Sequence, residues 1–231
     1  CGVASDVTGD ATGHRHDRLL LAGWIAAIAI ALPGTVHDTD PYWQVRAGQE
    51  NLDGLPLARP DSWSWAPVDG LFYPNSPGWN VLLAAAWREL GSWGMYLLAV
   101  ASIAACLTLT AWLARRLGAR AVPTLTVLLV SVAASLPLFS PRPALPAHVL
   151  YLLAVALAAW WAERAGRHGV AVNAAAPLLA GLALSMIGNW VHLSWSTLAV
   201  ATAAAWAVLW LLSPGLTVRT RAVLIAGGTV G

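Results

Sequence analysis

The chain contains no lysine. Its 231 residues include 13 basic residues, all arginine, 11 acidic residues, two cysteines, two methionines and two phenylalanines, and only 10% of it is charged. A soluble domain carries roughly a quarter charged residues, so an ordinary solvated globular domain is excluded. The net charge of +2 leaves no concentrated basic footprint for nucleic acid. Cys106 lies within an apolar run, so a disulfide to Cys1 is not expected, and no Cys/His spacing of the zinc type occurs. The chain also has no internal repeat, no heptad pattern and no glycine-rich phosphate loop. The missing lysines reflect a genome biased toward arginine and alanine codons rather than any chemistry.

Apolar residues take the place of the missing charge. The chain is 58% hydrophobic, with a mean hydropathy of +0.63. Its 14 tryptophans stand mostly at the ends of apolar runs, where an amphipathic ring suits the headgroup level. A span needs about 20 apolar residues. By that measure six spans are expected, at 19–36, 92–114, 121–139, 145–162, 174–190 and 195–212, and a seventh begins near residue 222. The predicted fold class is all-α: a polytopic transmembrane helix bundle with short membrane-surface helices in its first outer loop. Residues 1–18 are polar and are expected to be a disordered cytoplasmic tail, and residues 19–231 form the transmembrane domain. Cys1 stands where an initiator methionine would. A lipid-modified N-terminus would put it outside, so a fragment of a longer chain is the expectation.

Arginine placement sets the expected orientation. With the N-terminus cytoplasmic, Arg15, Arg18, Arg115, Arg116, Arg120, Arg164, Arg167, Arg219 and Arg221 lie inside. Arg46, Arg59, Arg88 and Arg142 lie outside. Nine against four follows the positive-inside tendency, and the inverted topology violates it. The expected location is the plasma (inner) membrane, multi-pass. The outer face then receives one long loop, 37–91, and loops of this length in compact proteins are usually functional. Within it, Tyr42, Val45 and Leu52 space out as one side of a short helix lying on the membrane, ended by Asp53-Gly54-Leu55-Pro56. Asp61 to Trp65 alternates polar and aromatic residues, and Pro67 to Gly70 reads as a turn. Pro77 opens a second helix that is expected to run into the second span across Gly91 and Gly94.

Three polar clusters could carry chemistry. The first is His37-Asp38-Thr39-Asp40 with Arg46. In an extended segment residues two apart face the same side, so Asp38 and Asp40 could meet one cation or one substrate. Asp40 can also N-cap a helix whose first residue is Pro41, which leaves Asp38 unexplained. Arg46 suits either a headgroup contact or an anion. The second cluster is Ser140-Pro141-Arg142-Pro143, where two prolines stiffen a short outer turn and aim the guanidinium. The third is Asn189-Trp190-Val191-His192-Leu193-Ser194, at the outer tip of the last two complete spans. It suits a wet cavity or hydrogen-bonded helix caps. The topology sends all three clusters to the same side of the membrane, and that convergence points to an active site there.

The run from Asp38 through Gly48, with its acidic pair, tandem aromatics and following glycine, resembles the bacterial branch of the GT-C class of polytopic membrane glycosyltransferases. Leu55-Pro56 to Asp61-Ser62, the Arg142-Pro143 turn and Trp190-Val191-His192 are similar to that branch as well. The resemblance covers about residues 19 to 212. It departs at Gln44, where a histidine is usual, and at Asn75-Ser76-Pro77-Gly78-Trp79, where an Asn-His-Glu-Trp pattern is common. The resemblance implies transfer of a sugar from a polyprenyl-phosphate carrier to a glycan, lipid or protein acceptor at the outer face. It makes Asp38 and Asp40 the catalytic pair, with Asp38 as the base. Arg46, Arg142, His192, Asn189 and Trp43 become substrate-binding residues. Paired acids also suit a divalent cation, Mg or Mn, on Asp38 and Asp40. Two rivals remain open. One is a transporter or flippase-like protein, which calls for ionisable residues near mid-bilayer where none is found. The other is a non-catalytic membrane assembly partner of the same fold.

Overall fold

The computed structural model describes residues 7–31, 39–60, 70–135, 140–193 and 195–230. They form helices α1 (Val7–Ala31), α2 (Asp40–Leu52), α3 (Pro77–Leu90), α4 (Ser92–Arg116), α5 (Ala121–Ser135), α6 (Ala144–Ala165), α7 (Val170–Val191), α8 (Trp195–Leu212) and α9 (Val218–Val230). Among the described residues the strands are two short ones, β1 (Arg59–Pro60) and β2 (Leu71–Phe72), paired antiparallel with Arg59 opposite Phe72. The protein is an all-α, multi-pass membrane protein. Helices α4, α6, α7 and α8 are long and apolar enough to cross a membrane, with 25, 22, 22 and 18 residues. At 1.5 Å per residue they reach roughly 27 to 38 Å, against a hydrocarbon core of about 30 Å. In α1 and α5 the apolar helical stretches are shorter, Arg18–Ile30 and Ala121–Ala133. The remainder of those two expected spans, 32–36 and 136–139, lies outside the described residues.

Two expectations about local structure change. Helix α1 starts at Val7, within the stretch expected to be a disordered tail. Extending an existing helix fixes one residue per added bond, whereas starting one is costly. The helix from Pro77 does not run into the second span. It stops at Leu90, and Gly91 takes φ +60°, a left-handed value open to glycine, before α4 begins. At the corner, a Cβ on Gly94 would overlap the Ala86 backbone, so the two glycines together permit a sharp, close turn.

The chain divides into two compact units, Cys1–Asp38 with Tyr96–Pro141, and Thr39–Met95 with Arg142–Gly231. In the first, α1 packs on α5, where Gly23 gives the Leu125 side chain its space. The Trp24 indole donates to Thr108 Oγ1 of α4 at 3.1 Å.

The second unit has its core around Ala154, Ala158, Ala165, Trp206, Trp210 and Leu224. The Trp206 indole N–H donates to the Ala154 carbonyl at 2.8 Å, and that of Trp210 to the Ala158 carbonyl at 3.2 Å. Both pairs step four residues in the same direction, so α6 and α8 run parallel and α7 returns between them. Small alanines let the rings approach, and each buried N–H finds a backbone acceptor, which an apolar medium demands. The Asn173 amide closes the end of α6 by donating to the carbonyls of Ala165 and His168. Near α2, Gly48 meets α3 so closely that a Cβ would overlap the Asn80 carbonyl. Tyr42 meets Trp87 edge-on at 5.9 Å. Tyr42 against the end of α3, and Gly48 against its start, make α2 and α3 antiparallel.

Candidate functional site

Helix α2 buries a face that its apolar spacing did not indicate. Pro41, Gln44, Val45, Ala47, Gly48 and Glu50 are buried, whereas Tyr42 is exposed and Leu52 partly so. The contact with α3 is made through Gly48, and shape at a glycine outweighs hydrophobicity on so short a helix. Gln44 and Asn80 are both buried at this interface. The Gln44 carbonyl oxygen and both polar atoms of the Asn80 amide have no hydrogen-bond partner among the described residues. Buried amides are normally satisfied, so this pair marks a polar interior under α2.

The first predicted cluster is described from Thr39 onward; His37 and Asp38 lie outside the described residues. The N-cap of α2 is Thr39, not Asp40, and no side chain caps the helix. Thr39 already has helical backbone angles, and its carbonyl accepts from Tyr42 N at 3.2 Å, so the helix starts one residue earlier than expected. The Asp40 carboxylate turns instead to Arg142, Oδ2 to Nη2 3.1 Å, with both side chains half-exposed. Arg142 stands just before α6, and its carbonyl accepts from Leu145 N at 3.1 Å, which fixes the turn. Two residues proposed from separate clusters, about a hundred positions apart, thus form one charged pair.

Arg46 is largely exposed and pairs with Glu50 one turn on, at 3.1 Å. The other Glu50 oxygen stands 2.8 Å from Arg59 Nε, and both of these side chains are buried. Arg59 also donates to Asn51 Oδ1 and to the carbonyls of Pro56 and Ala47. In the sequence alone Arg59 bears only on orientation, and Glu50 carries no signal of its own. The available signal was an acid and an arginine flanking a Gly-Pro turn, which needs tertiary contact to acquire meaning. Trp43 is half-buried and packs edge-on to Phe72 of β2, with ring centroids 6.5 Å apart.

The third cluster docks on the start of α3. Leu193 N donates to the Asn75 carbonyl at 2.8 Å, and a Cβ on Gly78 would stand 3.0 Å from the Trp190 ring and carbonyl. His192 ends α7, and partial burial pushes its imidazole below its ordinary pKa. Burial thus favours the neutral imidazole over the charged one. Asn189 is exposed on the last turn of α7, and Ser194 lies outside the described residues. The segments 39–52, 75–80, 142–145 and 188–195 thus belong to one unit, with α2 on α3, the α7–α8 turn on α3, and the Arg142 turn on the start of α2.

Of the acidic pair expected to suit a divalent cation, Asp38 lies outside the described residues. Among the described residues no three metal-binding side chains cluster. The Asp40 carboxylate is turned to a guanidinium, whose charge opposes a cation beside it. In the same unit a cavity of about 230 Å³ lies between α7, α8 and α9, lined by Gly181, Ser185, Trp195, Thr202, Trp206 and Gly228 among others. No family model, curated protein or solved structure matches this chain.

Proposed function

We propose that this protein is a membrane glycosyltransferase of the GT-C type, moving a sugar from a polyprenyl-phosphate carrier to an acceptor at the outer face of the plasma membrane. The Asp40–Arg142 pair carries the reading. An exposed ion pair contributes only about 0–1 kcal/mol to stability. Bringing the two together from the first loop and a proline-stiffened turn therefore has little value for folding. It does have value for binding an anion, because a half-exposed guanidinium can exchange a carboxylate oxygen for a phosphate oxygen.

In this reaction the bond between the anomeric carbon and the phosphate oxygen breaks. A bond to the acceptor oxygen forms, and the acceptor's hydroxyl proton passes to Asp38. Arg142 neutralises the charge that develops on the leaving phosphate, and Asp40 keeps the guanidinium aimed. His192, neutral, and Asn189 offer hydrogen bonds to the sugar, Arg46 lies on the outward side of α2, and Trp43 offers a ring face. The largely apolar cavity between α7, α8 and α9 suits a stretch of isoprenoid chain.

The test is transfer from a panel of polyprenyl-phosphate sugars in membranes carrying the full protein. Arg142→Gln is expected to lower transfer about a hundredfold, the cost typical of losing one preorganised group at a developing anion. Undiminished transfer in that variant would remove Arg142 from the site. No transfer by the unmodified protein with any donor would favour the non-catalytic reading.

Orientation is tested separately. In a Cys1→Ser/Cys106→Ala background, Leu55→Cys is expected to react with an impermeant maleimide in intact cells, and Gly166→Cys only after permeabilisation. Nine of 13 arginines on the cytoplasmic side motivate this expectation. The reverse labelling pattern would invert the topology and move the site inside.

A further inference from the structure

The first unit contains a feature that sugar transfer does not use. Helix α1 turns one side to α5 through Gly23, and on its other side a groove of about 460 Å³ opens toward α4. Leu20, Leu21 and Trp24 of α1 form one wall, and Ala111 and Trp112 of α4 the other. The polar atoms within it are already paired. The Trp24 indole donates to Thr108 Oγ1, and the Thr108 hydroxyl donates to the Ala104 carbonyl at 2.6 Å. The walls are left apolar.

Arg115 closes one end of the groove. It donates a single hydrogen bond, from Nη1 to the Ala119 carbonyl at 3.0 Å, and is otherwise exposed. Arg116 stacks on Trp112, its guanidinium carbon 4.9 Å from the ring centroid, and Arg120 is exposed just beyond. Leu20 and Leu21 line the groove together with Arg115, and Trp24 bonds Thr108, so α1 and α4 run antiparallel there. Arg18, one turn before Leu21 and exposed, therefore lies toward the same end. The residues of this unit whose side chains are described hold these four arginines and no carboxylate.

The geometry points to a binding site for an anionic phospholipid, with an acyl chain in the α1–α4 groove and the phosphate on Arg115 and Arg120. An apolar slot ending in the exposed guanidiniums of Arg115 and Arg120 matches that ligand in both its parts. Basic pockets between membrane helices bind anionic headgroups in this way, and guanidinium is the side chain best shaped for phosphate. A zwitterionic lipid offsets its phosphate with its own cation and gains little from Arg115 and Arg120. The inference does not depend on sugar transfer.

The full protein, in micelles containing equal phosphatidylglycerol and phosphatidylcholine of matched chains, is expected to retain phosphatidylglycerol in native mass spectrometry. Arg115→Gln/Arg120→Gln is expected to lose the first phosphatidylglycerol adduct several-fold. Both residues are exposed at a helix end, so the variant should elute as the unmodified protein does. Leu21→Trp leaves the arginines and fills the slot, and it is expected to lose the same adduct. Equal retention of the two lipids overturns the proposal. So does an unchanged adduct in either variant, or displacement by inorganic phosphate at the lipid's concentration, which would reduce the site to a simple anion contact.

Discussion

Glu50→Gln is expected to destabilise the second unit by about 3–5 kcal/mol, the cost of leaving one member of a buried ion pair without its partner. Glu50 and Arg59 are both more than nine-tenths buried and stand 2.8 Å apart. Arg59 keeps its three neutral acceptors in the variant, but it loses the buried carboxylate that stands 2.8 Å from its Nε. Loss of the Arg46 contact adds only a few tenths of a kcal/mol, because Arg46 is exposed. The expected change is visible as a lower midpoint in denaturant titrations of the purified protein in micelles. Glu50→Met/Arg59→Met is expected to lie closer to the unmodified protein than Glu50→Gln does, because removing both charges leaves none stranded. Equal midpoints for Glu50→Gln and the unmodified protein would mean that this pair is not buried in the folded state.

Asp38→Asn is expected to lower sugar transfer by about a hundredfold or more, while expression and folding stay near normal. Asparagine keeps the size of the side chain and its hydrogen bonds but cannot take the acceptor's proton, and general-base catalysis is typically worth about 10² to 10⁴ in rate. Asp40→Asn is expected to behave differently. Asp40 neither caps α2 nor accepts the proton, and its carboxylate aims Arg142. An exposed pair is worth about 0.2–1 kcal/mol, so the loss in transfer is about fivefold or less. Asp40→Glu is expected to recover part of it, because the longer acid still reaches the guanidinium. The measurement is the initial rate from a polyprenyl-phosphate sugar in membranes. A rate for Asp38→Asn equal to that of the unmodified protein would remove the base assignment. A hundredfold loss in Asp40→Asn would exchange the roles of the two acids.

The membrane helices were legible in the sequence because their signal is local. Each of α4, α6, α7 and α8 satisfies its own backbone hydrogen bonds and needs only length and apolar composition, both of which can be counted. The turn between α7 and α8 was legible for the same reason, since arginines on either side require a reversal near residues 189–194. Helix α2 was legible as a helix, from Pro41 at its start and the Gly-Pro stop, but its buried face was not. Three apolar residues cannot outweigh one glycine that allows two backbones to touch. The break at Gly91 was missed because an apolar stretch reads alike whether its helix is continuous or turns a corner. Only a left-handed glycine and the Ala86 backbone against Gly94 separate the two.

The candidate site divides along the same line. Composition and arginine placement by themselves determined that this is a multi-pass helical membrane protein, and which polar segments are candidates for chemistry. Those properties follow from transfer free energies that add residue by residue. Pairings across the chain are not additive in that way. That Asp40 faces Arg142, that Glu50 holds Arg59, that Leu193 bonds to Asn75 and that α6 and α8 share indole-to-carbonyl bonds were decided by tertiary structure. Each depends on distances between segments far apart in sequence, and those distances are set by close packing at a few small residues, Gly48, Gly78, Ala154 and Ala158, whose importance lies in the space they leave to their neighbours.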